Sequence, residues 1–150
     1  EPGKLSPMIG ELIQFNLVFN DSAAFSIGFG ATTVFAVISS VAALIFLWLS
    51  SKVETKSWAI LLGVALGGVV GNLVDRLTRE PGFGRGWVVD FIQIPFNFPV
   101  FNLADSAIFL VAVITVVRVM RGQRIGSSVG PVRGEDRGDR RFVPVARGWL

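Results

Sequence analysis

A membrane-embedded α-helical bundle with three spans is the fold class this sequence predicts, and three observations lead to it. Of the 150 residues 51% are hydrophobic, and the mean hydropathy is +0.61, too apolar for an ordinary soluble domain of this size. The apolar residues gather in long runs almost free of charge, close to the roughly 20 residues a helix needs to cross a bilayer. Two short segments outside those runs carry the patterning of strands instead, so a small sheet accompanies the helices.

Residues 1–10, EPGKLSPMIG, begin at Glu and hold two prolines and two glycines, which reads as a cut end. Ile13, Phe15, Leu17 and Phe19 then alternate with Gln14, Asn16 and Asn20, with Val18 interrupting the polar side. That period of two predicts a half-buried strand. Asn20, Asp21, Ser22, Ala23, Ala24, Phe25 and Ser26 form a turn group, followed by Gly28 and Gly30. Residues 31–49 contain no charge and form the first span, and residues 50–56 make a polar loop carrying Lys52 and Lys56. The second uncharged run, 57–74, contains Gly63, Gly67 and Gly71 at every fourth position, a smooth stripe expected to let another helix approach closely.

Asp75 and Arg76 close that span, and residues 78–86 read as a polar loop with Pro81 and three glycines. Residues 87–94 are β-branched and aromatic around the single charge of Asp90, the composition of a strand. Pro95 and Pro99 bound an extended, Phe-rich connection. The third span covers residues 102–120, opened by Asp105 and ended by Arg118. Residues 1–120 are thus the membrane domain, and residues 121–150, rich in Gly, Arg and Ser without apolar period, are a basic tail expected to be disordered.

Lysine and arginine near span ends set orientation. Lys52 and Lys56 place the first loop in the cytoplasm, and Arg118, Arg121 and Arg124 place the tail there. Segment 78–101 then lies outside. An odd number of spans with the amino terminus exported is explained most simply by a preceding span, so a four-span parent with both ends cytoplasmic is expected.

Histidine and cysteine are both absent, which excludes His-containing triads, thiol nucleophiles, disulfides and the usual zinc ligand sets. Lysine occurs only at positions 4, 52 and 56, so a Ser/Lys dyad would need Lys4, and nothing around it supports one. The net charge of +3 comes mostly from arginines after residue 117, which reads as orientation and tail, not a nucleic-acid surface.

Carboxylates at the ends of membrane spans are costly and are functional candidates by default. The topology brings Asn20, Asp75, Asp90 and Asp105 to one outer face. Asn72 and Asp75, like Asn102 and Asp105, are three residues apart, so each pair shares a helix face if its helix reaches that far. The helix dipole favours an anion at Asp105 but not at Asp75, which is expected to turn to Arg76. Structural readings stand beside these: Asn102 with Asp105 is also the spacing of an N-cap and first-turn acid, Asp75 with Arg76 that of an interfacial ion pair, and Asn20 a common turn residue. Asp90, among Trp87, Val88, Val89, Phe91 and Ile92 with no adjacent cation, resists such a reading.

Two carboxylates close together in a partly dehydrated site share one proton and present an acid and a base at once. That is aspartic protease chemistry, and it needs no metal or cofactor. The competing class is a non-enzymatic membrane transporter or assembly subunit with acids along an ion path, which should place them near mid-bilayer.

In Asn20-Asp21-Ser22-Ala23-Ala24-Phe25-Ser26, Gly67-Gly68-Val69-Val70-Gly71-Asn72-Leu73-Val74-Asp75-Arg76, Val88-Val89-Asp90-Phe91 and Phe101-Asn102-Leu103-Ala104-Asp105, the chain resembles bacterial lipoprotein signal peptidase, or signal peptidase II, over residues 12–120. The resemblance implies four helices with a small extracytoplasmic β-cradle, the first helix lacking here. It implies an aspartic endopeptidase of the bacterial inner membrane, active at the outer face, that cuts prolipoprotein signal peptides before a diacylglyceryl-modified cysteine. Asp90 and Asp105 would be catalytic, while Asn20, Asn72, Asp75, Arg76, Asn102 and Ala104 would hold substrate or support the pair. Membrane lipid and the inhibitor globomycin are implied ligands, and a monomer is expected.

Overall fold

The computed structural model describes residues 2–21 and 31–125. The expected turn group at 22–30 and the expected disordered tail beyond residue 125 lie outside the described residues. Six elements follow in order: β1 (Ser6–Ile9), β2 (Ile13–Asn20), α1 (Ala31–Ser50), α2 (Lys56–Thr78), β3 (Val88–Gln93) and α3 (Leu103–Met120).

All three helices are long and apolar enough to cross a membrane. α2 is the central one and packs against both α1 and α3. Trp58, Leu61 and Ala65 of α2 meet Val111 of α3 in a buried cluster, joined by Phe46, Val53 and Ile114. The outer faces of α1 and α3 remain uncovered, with Val37, Ile38, Leu44, Phe109 and Leu110 exposed, as suits helices whose solvent is lipid.

The glycine stripe works in a different register from the one expected. Nothing lies within 4 Å of a side chain built at Gly63 or Gly67, whereas one at Gly68 would come within 2.8 Å of the Ala104 carbonyl oxygen and 2.9 Å of Ile108 Cγ1. The close approach of α2 and α3 therefore rests on Gly68, with Gly71 3.7 Å from the Ala104 methyl. Spacing marked the small residues but not the face that the helix turns inward.

α2 also runs a turn further than expected, so Asp75 and Arg76 lie within it. The expected Asp75–Arg76 pair is not formed. Asp75 Oδ1 instead accepts from Arg79 Nε at 2.6 Å, an i,i+4 ion pair. Neighbours in a helical sequence diverge around its axis, and residues four apart face each other.

The sheet is antiparallel in the order β1-β2-β3. β1 was not expected, because Pro2, Gly3, Pro7 and Gly10 mask any strand signal; pairing with β2 creates it, Ser6 opposite Phe15 and Pro7 opposite Gln14. β2 and β3 form as expected, with Val18 opposite Asp90, Asn20 opposite Val88, and a bulge between Phe15 and Val18. After β3 the chain turns through Phe96 and Asn97, both at positive φ. Phe101 comes back to exchange backbone hydrogen bonds with Ile92, 2.8 Å and 3.0 Å. That return sets Asn102, the residue that starts α3, beside Asp90.

Candidate active site

Asp90 is 2% exposed, a position no carboxylate tolerates without partners. It has two. Oδ2 accepts from Asn20 Nδ2 at 2.7 Å, and Oδ1 accepts from Asn102 Nδ2 at 2.7 Å. Strand pairing delivers the first: Asn20 ends β2 on the face that Val18 and Asp90 share, because side chains alternate along a strand. The Phe101–Ile92 return delivers the second.

Asn102 performs a second task. Its Oδ1 accepts the Asp105 backbone N–H at 3.1 Å while Asp105 Oδ2 accepts the Asn102 N–H at 3.0 Å, so the pair is the capping box of α3. The remaining Asp105 oxygen, Oδ1, accepts from Asn72 Nδ2 at 2.7 Å. Asn72 Oδ1, its side-chain amide oxygen, in turn accepts from Asn102 Nδ2 at 3.1 Å. The two carboxylates are therefore tied through one asparagine: Asn102 touches Asp90 with its amide and Asp105 with its cap. Its N-cap and site readings are both true of the same side chain.

Asp75 and Arg76 stand beside this centre and act on its frame. Asp75 Oδ2 accepts the Val89 N–H at 3.1 Å, fixing the strand one residue before Asp90. Gly86 lies so close to the end of α2 that any side chain there would strike the Asp75 carbonyl oxygen, and its N–H reaches the Arg76 carbonyl at 2.9 Å. Arg76 is buried, donates to the Asn72 carbonyl at 3.2 Å, and lies over the Phe35 ring of α1, 5.6 Å from its centroid. Ala104 places no polar atom of its side chain in the site; it forms the floor against Gly68 and Gly71.

Burial pushes the Asp90 carboxyl above the usual carboxylate range, a rise that its hydrogen bonds from Asn20 and Asn102 partly offset. The nearby Asp105 charge raises it further and the Arg76 charge lowers it. A buried acid raised in this way beside a second acid capping a helix is an arrangement in which acid and base roles can divide.

Of the eight residues singled out by sequence, five converge directly: Asn20, Asn72, Asp90, Asn102 and Asp105. Arg79 and the backbone of Val89 escaped notice, although the four-residue spacing of Asp75 and Arg79 was a usable signal. No group of three or more acidic, His or Cys side chains suited to a metal occurs among the described residues. The acids sit at helix ends and on a strand, not midway along a span, which disfavours an ion path.

A family model described as signal peptidase (SPase) II matches residues 2–121. The lipoprotein signal peptidase of Leifsonia xyli subsp. xyli is 43% identical over 120 residues, 80% of this chain and 56% of its own length. That of Streptomyces coelicolor is 44% identical over 115 residues, 77% of this chain and 56% of its own. A bacterial membrane enzyme solved in meso at 2.3 Å resolution superposes with a TM-score of 0.69 at 22% identity, covering 87% of this chain and 80% of that one; it shares the fold. The chain spans little more than half the length of these curated relatives. With the capping box, the helix-end aspartates and the three-stranded sheet all inside the matched region, the chain belongs to the signal peptidase II family.

Proposed function

We propose that this chain is a membrane aspartyl endopeptidase that removes signal peptides from diacylglyceryl-modified prolipoproteins, cutting on the amino side of the modified cysteine. The observation that carries the reading is the linkage of Asp90 and Asp105 through Asn102, with burial raising the Asp90 carboxyl above the usual carboxylate range. Family membership supplies the substrate class.

In this reading Asp105 is the base and Asp90 the acid. Asp105 takes a proton from water as the water oxygen attacks the scissile carbonyl, while Asp90 gives its proton to the carbonyl oxygen. The resulting tetrahedral diol collapses when Asp105 passes its proton to the leaving nitrogen. A diol hydroxyl then returns its proton to Asp90, so both groups end as they began. Asn72 and Asn102 orient the pair, Asn20 holds Asp90, and Asp75 and Arg76 fix β3 and α2 around it. Lys52, Lys56, Arg118 and Arg121 at the opposite helix ends support a cytoplasmic location for that end and an outward-facing dyad in the bacterial inner membrane. Globomycin is expected to block the site.

The test is Asp90→Asn and Asp105→Asn in the full chain, followed by conversion of prolipoprotein to its shortened form on a gel. Each variant should lose at least about 100-fold in rate, the lower bound for removing a positioned acid or base. A folded variant that still processes at the wild-type rate would falsify the assignment of that residue.

A further inference from the structure

Arg76 is a cation under cover, 9% exposed, and a buried charge needs partners. The ion pair at this end of α2 joins Asp75 to Arg79, and Arg76 Nε has no hydrogen-bond partner among the described residues. Two contacts hold the guanidinium. Its Nη1 donates to the Asn72 carbonyl at 3.2 Å, and its carbon lies 5.6 Å from the centroid of the Phe35 ring.

The two contacts differ in what they fix. Asn72 is four residues back on the same helix, so that bond keeps the side chain along α2. Phe35 comes from α1, which packs on α2. Thr32 and Ala36, one helical turn apart, are buried on α1, and Phe35 lies three residues after Thr32, on the same face. A desolvated cation is drawn to the face of a ring and not to its edge, so Phe35 sets where along α1 the guanidinium rests.

That position matters to the dyad. Of the acids around Arg76, Asp105 attracts its charge most, then Asp90, then Asp75. At Asp90 the same charge works against burial, favouring the anion. Arg79, already paired with Asp75, is the other cation here, and residues 31–50 of α1 carry no charge at all. With no acid or base on that side, the ring is what α1 contributes to holding Arg76.

We infer that Phe35 is a positioning residue for the dyad: the face of its ring holds the Arg76 guanidinium where its charge acts on Asp90 and Asp105. The inference rests on the peptidase reading above.

The experiment removes the charge of the ring face while keeping its shape, by placing pentafluorophenylalanine at position 35 of the full chain. Phe35→Leu and Phe35→Tyr stand beside it, each read as a pH–rate profile of prolipoprotein processing. A ring face favours a desolvated cation about tenfold over an apolar surface. The fluorinated protein and Phe35→Leu should therefore lose about tenfold in kcat. Their basic limb should move to higher pH, because the cation that favours the Asp90 anion is no longer held. Phe35→Tyr keeps the ring face and should keep both the rate and the limb. Phe46→Leu, which takes a ring from the packing at the far end of α1, should lower the unfolding midpoint without moving the limb. Wild-type kcat and an unmoved limb in the nearly isosteric fluorinated protein, or a limb that moves equally in Phe46→Leu, overturns the inference and leaves the peptidase reading intact. A wild-type chain that cuts no prolipoprotein overturns that reading, and this inference with it.

Discussion

Replacing Asn102 is the most searching perturbation of this site, because one side chain serves both carboxylates. Asn102→Ala removes the N-cap bond to the Asp105 N–H, worth about 1 kcal/mol. It also removes the donor to buried Asp90, worth about 0.5–1.5 kcal/mol for a protonated partner, and the bond to Asn72. These share one amide and do not add fully, so a loss of about 2 kcal/mol is expected. Asn102→Ser keeps a good cap but not the donor and should lose about 1 kcal/mol less. Unfolding in detergent micelles, followed by tryptophan fluorescence, measures both. Activity gives the second readout: with one of its two stabilising donors gone, the Asp90 anion becomes harder to form, so the basic limb of the pH–rate profile should move to higher pH. An Asn102→Ala protein within about 0.5 kcal/mol of wild type, with an unmoved basic limb, would refute the idea that this amide joins the pair.

Stability should also depend on Asp90 with a definite sign. Its carboxyl titrates above the unfolded value in the folded chain, so its contribution is fully present below about pH 3.9 and is lost as pH rises through the elevated value. Asp90→Asn cannot titrate, and its midpoint relative to wild type should climb as pH rises above about 4; a difference that stays flat would count against a buried Asp90 with a raised carboxyl. At the α2–α3 contact, Gly68→Ala drives a methyl into the Ala104 carbonyl and should cost about 1–3 kcal/mol. Gly67→Ala, with open space around it, should be neutral or stabilising by up to about 1 kcal/mol; equal effects at the two sites would show that α3 does not approach where the structure places it.

The sequence revealed the helices because a bilayer demands long uncharged runs, and the observed bounds of α1 and α3 fall within a residue or so of the expected ones. β2 and β3 were legible from alternation and β-branched content. β1 was not, since a strand containing Pro7 exists only by virtue of its partner. The same division holds in the site. Asp90 stood out as an acid without a neighbouring cation, and Asn102 as a cap, both properties of local sequence. That the cap also donates to Asp90 depends on the Phe101–Ile92 return, a contact no spacing rule encodes. Asp75 pairs with Arg79 and not with its chain neighbour Arg76 because residues four apart share a helix face and adjacent ones do not.

The boundary of the sheet carries one more consequence. On the β3 side, the Val89 N–H is taken by a side-chain carboxylate and the Phe91 and Ile92 N–H groups by a single backbone oxygen of Phe101, so no row of vacant donors faces outward there. On the β1 side the margin is four residues long and interrupted by Pro7. An extended chain that meets this surface therefore finds little template onto which to zip as an extra strand, so the sheet is guarded against edge-to-edge capture.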